Sequence, residues 1–135
     1  AAGIAVLQTM LEQNLPEQVK EKGSRLLQEL QQQFAEHPNV GDVRGRGLFL
    51  GIELVQDKQT KEPLNPNFNL PEQIRHTAMQ HGLLCYPMGG TIDGRKGHHV
   101  LLAPPFIINY AELELIVERL SSTLNAILPA LDQAA

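Results

Sequence analysis

The chain has 135 residues, a net charge of −4 and 42% apolar residues, which suits one folded domain with its own core rather than a disordered polymer. No block of lysines and arginines offers the cationic surface that nucleic-acid phosphates demand, and no apolar run approaches the ~20 residues that cross a bilayer. Cys85, the single cysteine, has no internal disulfide partner, which suits a reducing cytoplasm.

Residues 1–13 read as a helix whose apolar positions (Ile4, Val6, Leu7, Met10, Leu11) cover most of its circumference. Such a helix is buried on several sides, either at the centre of this domain or against a missing domain or subunit. Because the chain opens at Ala1 inside this pattern, a piece of a longer polypeptide is expected. Asn14-Leu15-Pro16-Glu17 is a helix start with a capping asparagine and an early proline. The same spacing of Asn and Glu recurs at Asn69–Glu72 and Asn109–Glu112.

The second helix, over about 16–36, carries an inner stripe of Val19, Gly23, Leu26, Leu27, Leu30 and Phe34. Pro38 stops it, since helix is disfavoured at the preceding His37. Strands follow over about 40–44 and 47–55, the second apolar enough to have both faces covered. Residues 56–68 are a polar surface loop. A short helix over 70–81 turns Ile74, Ala78 and Met79 inward and stops at Gly82. Leu83–Tyr86 is a short strand, Pro87–His98 a long glycine-rich loop of the kind that carries function, and Val100–Ala103 the last strand. The final helix, about 110–128, buries Leu113, Ile116, Val117, Leu120, Leu124 and Ile127, with a frayed tail after Pro129. The order predicts an α/β chain of the α+β kind, with a small, mostly antiparallel sheet against helices.

Four segments in register resemble one family. Val43-Arg44-Gly45-Arg46-Gly47-Leu48 with Gly51-Ile52-Glu53-Leu54 is the most recognisable. The opening Ala-Ala-Gly-Ile-Ala-Val-Leu, His81-Gly82-Leu83-Leu84 and Leu102-Ala103-Pro104-Pro105-Phe106-Ile107 accompany it. Together they are similar to the C-terminal small domain of class III aminotransferases, over essentially all 135 residues. The resemblance implies a fold-type I transferase with residues 1–13 as the helix leaving a missing large domain. It implies a homodimer that moves an amino group from an amine or ω-amino acid donor to an oxo-acid acceptor through pyridoxal phosphate held on a lysine. The lysines here, Lys20, Lys22, Lys58, Lys61 and Lys96, fall on wet helix faces or in polar loops, and none matches the family's catalytic position. No catalytic or cofactor-binding residue is therefore assigned, and these residues alone are predicted to be inactive.

The resemblance makes this domain one wall of a substrate pocket. Ornithine-type members place an arginine where Leu101 stands, which moves the expectation toward ω-amino acid:pyruvate-like members. Some of those carry a mobile arginine in the preceding loop, and Arg95 is the only arginine in residues 87–98. Arg95, Tyr86, Arg44 and Arg46 are the candidate substrate-binding residues. The plainer reading has Arg44 and Arg46 holding neighbouring acids beside a tight turn, with Arg44 or Arg46 pairing Glu53 if it is buried. His98 and His99 are adjacent on a strand, point to opposite faces and suit no metal; Cys85 reads as an inert core residue. The competing functions are a standalone binding or regulatory module, or an oligomerisation domain, with the same fold.

Overall fold

The computed structural model describes the backbone of residues 2–132 and the side chains of residues 2–129. Ala1 and the last three residues of the expected tail lie outside the described residues. The elements are α1 (Ala2–Glu12), α2 (Leu15–Gln33), β1 (Val40–Arg46), β2 (Phe49–Asp57), β3 (Glu62–Pro63), a 3-10 turn (Pro66–Phe68), α3 (Leu70–Gln80), β4 (Tyr86–Gly89), β5 (His98–Leu102) and α4 (Tyr110–Asp132). The sheet runs β1-β2-β5-β4 with β3 added on β2, and every pairing is antiparallel.

The core lies between one sheet face and helices α2, α3 and α4. Leu50, Ile52 and Leu54 of β2 and Val100 and Leu102 of β5 meet Leu26 and Leu30 of α2, Ile74 of α3, and Leu113, Leu120 and Leu124 of α4. Alternate residues of a strand share a face, so one side of β2 is sealed. The opposite side is not: Phe49 is 61% exposed. The expectation that β2 is covered on both faces fails, because no helix among the described residues packs on that side.

The turn between β1 and β2 uses Gly47 at φ 57°, with Arg46 and Phe49 paired across it. A two-residue hairpin favours this left-handed conformation, which glycine adopts freely. Here α2 also comes close: a Cβ on Gly23 would lie 2.1 Å from the Gly47 carbonyl oxygen. The two glycines let helix backbone and hairpin backbone touch. The outer edge of β1 is blunted by side chains, with Gln31 Nε2 donating to Val43 O at 3.1 Å and Lys61 Nζ donating to Gly41 O.

Only one of the three Asn-x-x-Glu starts forms a capping box. Asn109 Oδ1 accepts from Glu112 N, and Glu112 Oε2 accepts from Asn109 N, both at 2.9 Å. Asn14 and Asn69 instead sit at φ 49° and 48° with no side-chain cap. Each closes one helical segment and opens the next with hardly a gap, and asparagine tolerates that left-handed joint.

Other elements depart from the sequence reading for local reasons. The core option for α1 is overturned: none of its residues is buried, and Ile4, Val6, Leu7 and Leu11 are exposed. Met79, expected inward, is 59% exposed, since Leu70, Ile74 and Ala78 already fill the inner face of α3. The strand expected at Leu83–Tyr86 begins only at Tyr86. Leu83 is spent on ending α3, its N–H bonding Ala78 O at 2.8 Å while Gly82 N–H bonds Met79 O at 3.0 Å, a Schellman closure with Gly82 left-handed. Pro87 then sits in β4, an edge strand, where a missing N–H is tolerated. Helix α4 continues through Pro129 rather than stopping there. The loop at 56–68 holds β3 and the 3-10 turn.

Lys22, placed by sequence on a wet face, is buried, its stem inside and its Nζ donating to Gln18 Oε1 at 3.0 Å and Phe106 O at 3.4 Å. Asn39, inconspicuous in sequence, is buried and donates to Val55 O and Gln56 O, both at 3.2 Å. The His81-Gly82 segment has a structural job: Arg119 Nη1 donates to Gly82 O at 2.6 Å, and His81 Nδ1 lies 3.1 Å from Thr123 Oγ1. Both contacts fasten the end of α3 to α4. Among the described residues no helix is long and apolar enough to cross a membrane.

Candidate functional site

Strand register arranges the uncovered sheet face in rows. Arg44, Gly51, Leu101 and Tyr86 form one row across β1, β2, β5 and β4; Asp42, Glu53, His99 and Met88 form the next; Arg46 pairs with Phe49 at the hairpin end. Gly51 has no side chain, so the middle of the face is a depression. A cleft of about 430 Å³ opens over it, with Arg44, Phe49, Glu53, His99 and Leu101 around it and Thr91, Ile92 and Gly97 of the β4–β5 loop against it. A second, more apolar cleft of about 580 Å³ lies at the end of β5, lined by Leu84, Cys85, Tyr86, Ala103, Pro104 and Ile108. Phe49 and Leu101 border both clefts.

Arg44 is committed. Its Nη1 donates to Asp42 Oδ2 at 2.8 Å and Glu53 Oε2 at 3.1 Å, and Asp42 first and Glu53 second push the guanidinium's pKa further up. This is the structural pair expected for Glu53, with Arg44 the partner. At two-thirds exposure of the arginine side chain the pair adds little stability, but it neutralises the cation toward any other anion. Arg46 is exposed at the rim and makes no side-chain bond among the described residues; it also borders the groove between α2 and the hairpin. His99, beside Glu53, is held neutral mainly by burial and then by Arg44, with Glu53 opposing.

The loop at 90–97 is shorter and more ordered than its glycine content suggests, because β4 and β5 absorb both its ends. Ile92 N–H bonds Lys96 O and Gly94 N–H bonds Gly90 O, both at 3.0 Å. Gly90, Gly94 and Gly97 all have positive φ. Arg95 is exposed, makes no side-chain bond among the described residues, and does not border either cleft.

The four candidate residues therefore divide. Tyr86 and Arg44 lie in one row of the open face, Arg46 stands at its rim, and Arg95 rides on the loop that covers one side. Sequence reasoning missed Phe49, Gly51 and His99 as lining residues. The available signal was the period of two in Phe49-x-Gly51-x-Glu53, masked by reading β2 as buried on both faces. Cys85 faces the apolar cleft, and burial pushes its thiol up to about 11, so it stays protonated and unreactive. His98 is buried on the core side of β5, its Nδ1 without a partner among the described residues, and burial first and His99 second lower its pKa. Among the described residues no group of three or more His, Cys, Asp or Glu is placed to hold a metal ion.

None of the five lysines borders either cleft. Lys58 Nζ donates to Phe34 O and Ala35 O at the end of α2, Lys61 to Gly41 O, Lys22 to Phe106 O, and Lys20 pairs with Glu17 at 3.3 Å. Lys96 is exposed on the loop. The open face has an apolar part at Phe49, Leu101 and Tyr86 and a polar part at Arg44, Glu53 and His99.

The family described as aminotransferase class-III matches residues 1–124. An uncharacterized aminotransferase of Schizosaccharomyces pombe is 43% identical over 97% of this chain and 28% of its own length. A taurine–pyruvate aminotransferase of Rhodobacter capsulatus is 35% identical over 93% of this chain and 27% of its own. The solved (S)-enantioselective omega-transaminase of Thermomicrobium roseum superposes with a TM-score of 0.80 at 33% identity, over 90% of this chain and 25% of that one. The chain thus spans about a quarter of the length of the relatives it matches.

Proposed function

Because this chain belongs to the class III aminotransferases, we propose that it forms the C-terminal small domain of such an enzyme and supplies one wall of its substrate pocket. The observation that carries this is the uncovered sheet face: Arg44, Tyr86, Phe49 and Leu101 share it, and the loop at 90–97 folds against it. A free-standing domain has no physical reason to leave Phe49, Tyr86 and the apolar side of α1 in water. The whole protein uses pyridoxal phosphate on a lysine outside these residues, works in the cytoplasm as a homodimer, and passes an amino group to an oxo acid. Residues 1–13 link this domain to the large one.

An apolar Leu101 beside Phe49 offers no cation for a carboxylate next to the reacting amine, which favours ω-amino acids or amines over α-amino acids as donors, in keeping with the names of the taurine–pyruvate and omega-transaminase relatives. With Arg44 tied to two carboxylates, Arg95 is the better clasp for an acceptor carboxylate: it borders neither cleft as it stands, but its exposed guanidinium is free to swing from the loop against the polar cleft and pair bidentately. The test is Arg95→Ala in the full-length enzyme, with pyruvate and an uncarboxylated aldehyde as alternative acceptors. Loss confined to pyruvate is the expected result; equal rates for the variant and wild type on both would dispose of the clasp. Residues 1–135 alone are expected to show no cofactor absorbance band that borohydride fixes onto a lysine, and such a band would overturn the wall reading itself.

A further inference from the structure

We propose that Asp93 is a positioning residue for Arg95: its carboxylate fixes the tip of the β4–β5 loop so that the Arg95 backbone is already set when a carboxylated acceptor arrives. Resting on the assignment of Arg95 as the acceptor clasp, this goes beyond it by naming what holds the clasp. Asp93 Oδ1 accepts from Arg95 N at 2.9 Å and from Lys96 N at 2.7 Å. The same amides, Lys96 first and Arg95 second, keep the Asp93 carboxyl below the usual carboxylate range, so it is ionised and a strong acceptor at neutral pH.

The base of the loop is fixed independently. A Cβ on Gly97 would meet Thr91 Oγ1 at 2.6 Å and Ile92 Cγ1 at 2.8 Å, and one on Gly90 would meet Gly94 O at 2.9 Å. The two arms are therefore in contact, with Ile92 N bonded to Lys96 O. With base and tip both held, the backbone of Arg95 is set while its side chain stays free to move. Ordering a mobile segment costs binding free energy, and a segment already ordered avoids that cost. Asp93 thus contributes to acceptor affinity without touching the acceptor, while Thr91 and Ile92 stay against the cleft.

The experiment compares Asp93→Ala, Asp93→Asn and Arg95→Ala in the full-length enzyme with one amine donor and either pyruvate or an aldehyde of similar size. Asp93→Ala is expected to raise the KM for pyruvate relative to that for the aldehyde by roughly three- to tenfold, with little change in the ratio of kcat values. Asp93→Asn keeps an acceptor oxygen and is expected to restore most of the loss. If Arg95→Ala discriminates between the acceptors and Asp93→Ala does not, the positioning role is wrong and the clasp stands. If Asp93→Ala lowers both reactions equally, or Asn fails to rescue, Asp93 merely maintains the fold and the proposal is overturned. If Arg95→Ala does not discriminate, the clasp itself falls and Asp93 has nothing to position.

Discussion

The two faces of the sheet are built from the same strands and obey opposite rules. On the covered face, Leu50, Ile52, Leu54 and Val100 are at most 1% exposed and touch three helices. On the open face, one residue away along each strand, Phe49 and Tyr86 are more than 60% exposed, and charges tie to one another rather than to the core. The first face makes the domain fold. The second contributes little to folding, which frees its residues to be selected for what they meet.

Substitutions should separate the two faces. Ile52→Ala, at a site fully buried among α-helices, is expected to cost about 3–4 kcal/mol, read from the urea midpoint. Gly23→Ala forces a Cβ into the Gly47 backbone and is expected to cost about 2–3 kcal/mol. A gain in stability, as Gly→Ala gives at an exposed helix position, would mean that the helix–hairpin contact is not as close as described.

A subtler effect comes from His98, at the end of the covered face. Burial first and His99 second lower its pKa below the ordinary 6.5, so the unfolded chain takes up a proton that the folded one refuses. The sign follows: stability is full above the ordinary value and is lost as pH falls through 6.5 toward the depressed folded value. His99, also depressed, acts in the same direction. Denaturant midpoints measured above that range and about one unit below it should fall less in His98→Gln than in the wild type. An identical fall would assign the acid sensitivity elsewhere.

The smallest effects belong to the open face. Arg44→Met removes two exposed ion pairs and should change stability by no more than about 1 kcal/mol. Phe49→Ala should stay within about 0.5 kcal/mol, yet lower amine turnover in the full-length enzyme. A large stability loss at Phe49 would show that the open face helps hold the fold, and the contrast between the faces would disappear.

The strands and helices were legible in the sequence wherever a periodic stripe met a local signal. The stripe of α2, the Asn109–Glu112 box and the Gly82 stop each depend on residues within a few positions of one another, whereas the β1–β2 turn, expected at Gly45-Arg46, falls at Gly47-Leu48. The resemblance to class III aminotransferases rested on segments of the same kind, and two of the residues it singled out, Tyr86 and Arg44, share one row of the open face. Three-dimensional contacts decided the rest. Whether Leu48–Val55 is covered on one face or two depends on where helices from both ends of the chain come to lie, and no window of β2 contains that information. Choosing between Arg44 and Arg46 as the partner of Glu53 needed the β1–β2 register: the two arginines share a face, and only the pairing of Asp42 with Glu53 and of Arg46 with Phe49 leaves Arg44 as Glu53's neighbour. Asp93 stood in the sequence as one polar loop residue among several; its bonds to Arg95 and Lys96 exist only once three glycines have bent the loop back on itself.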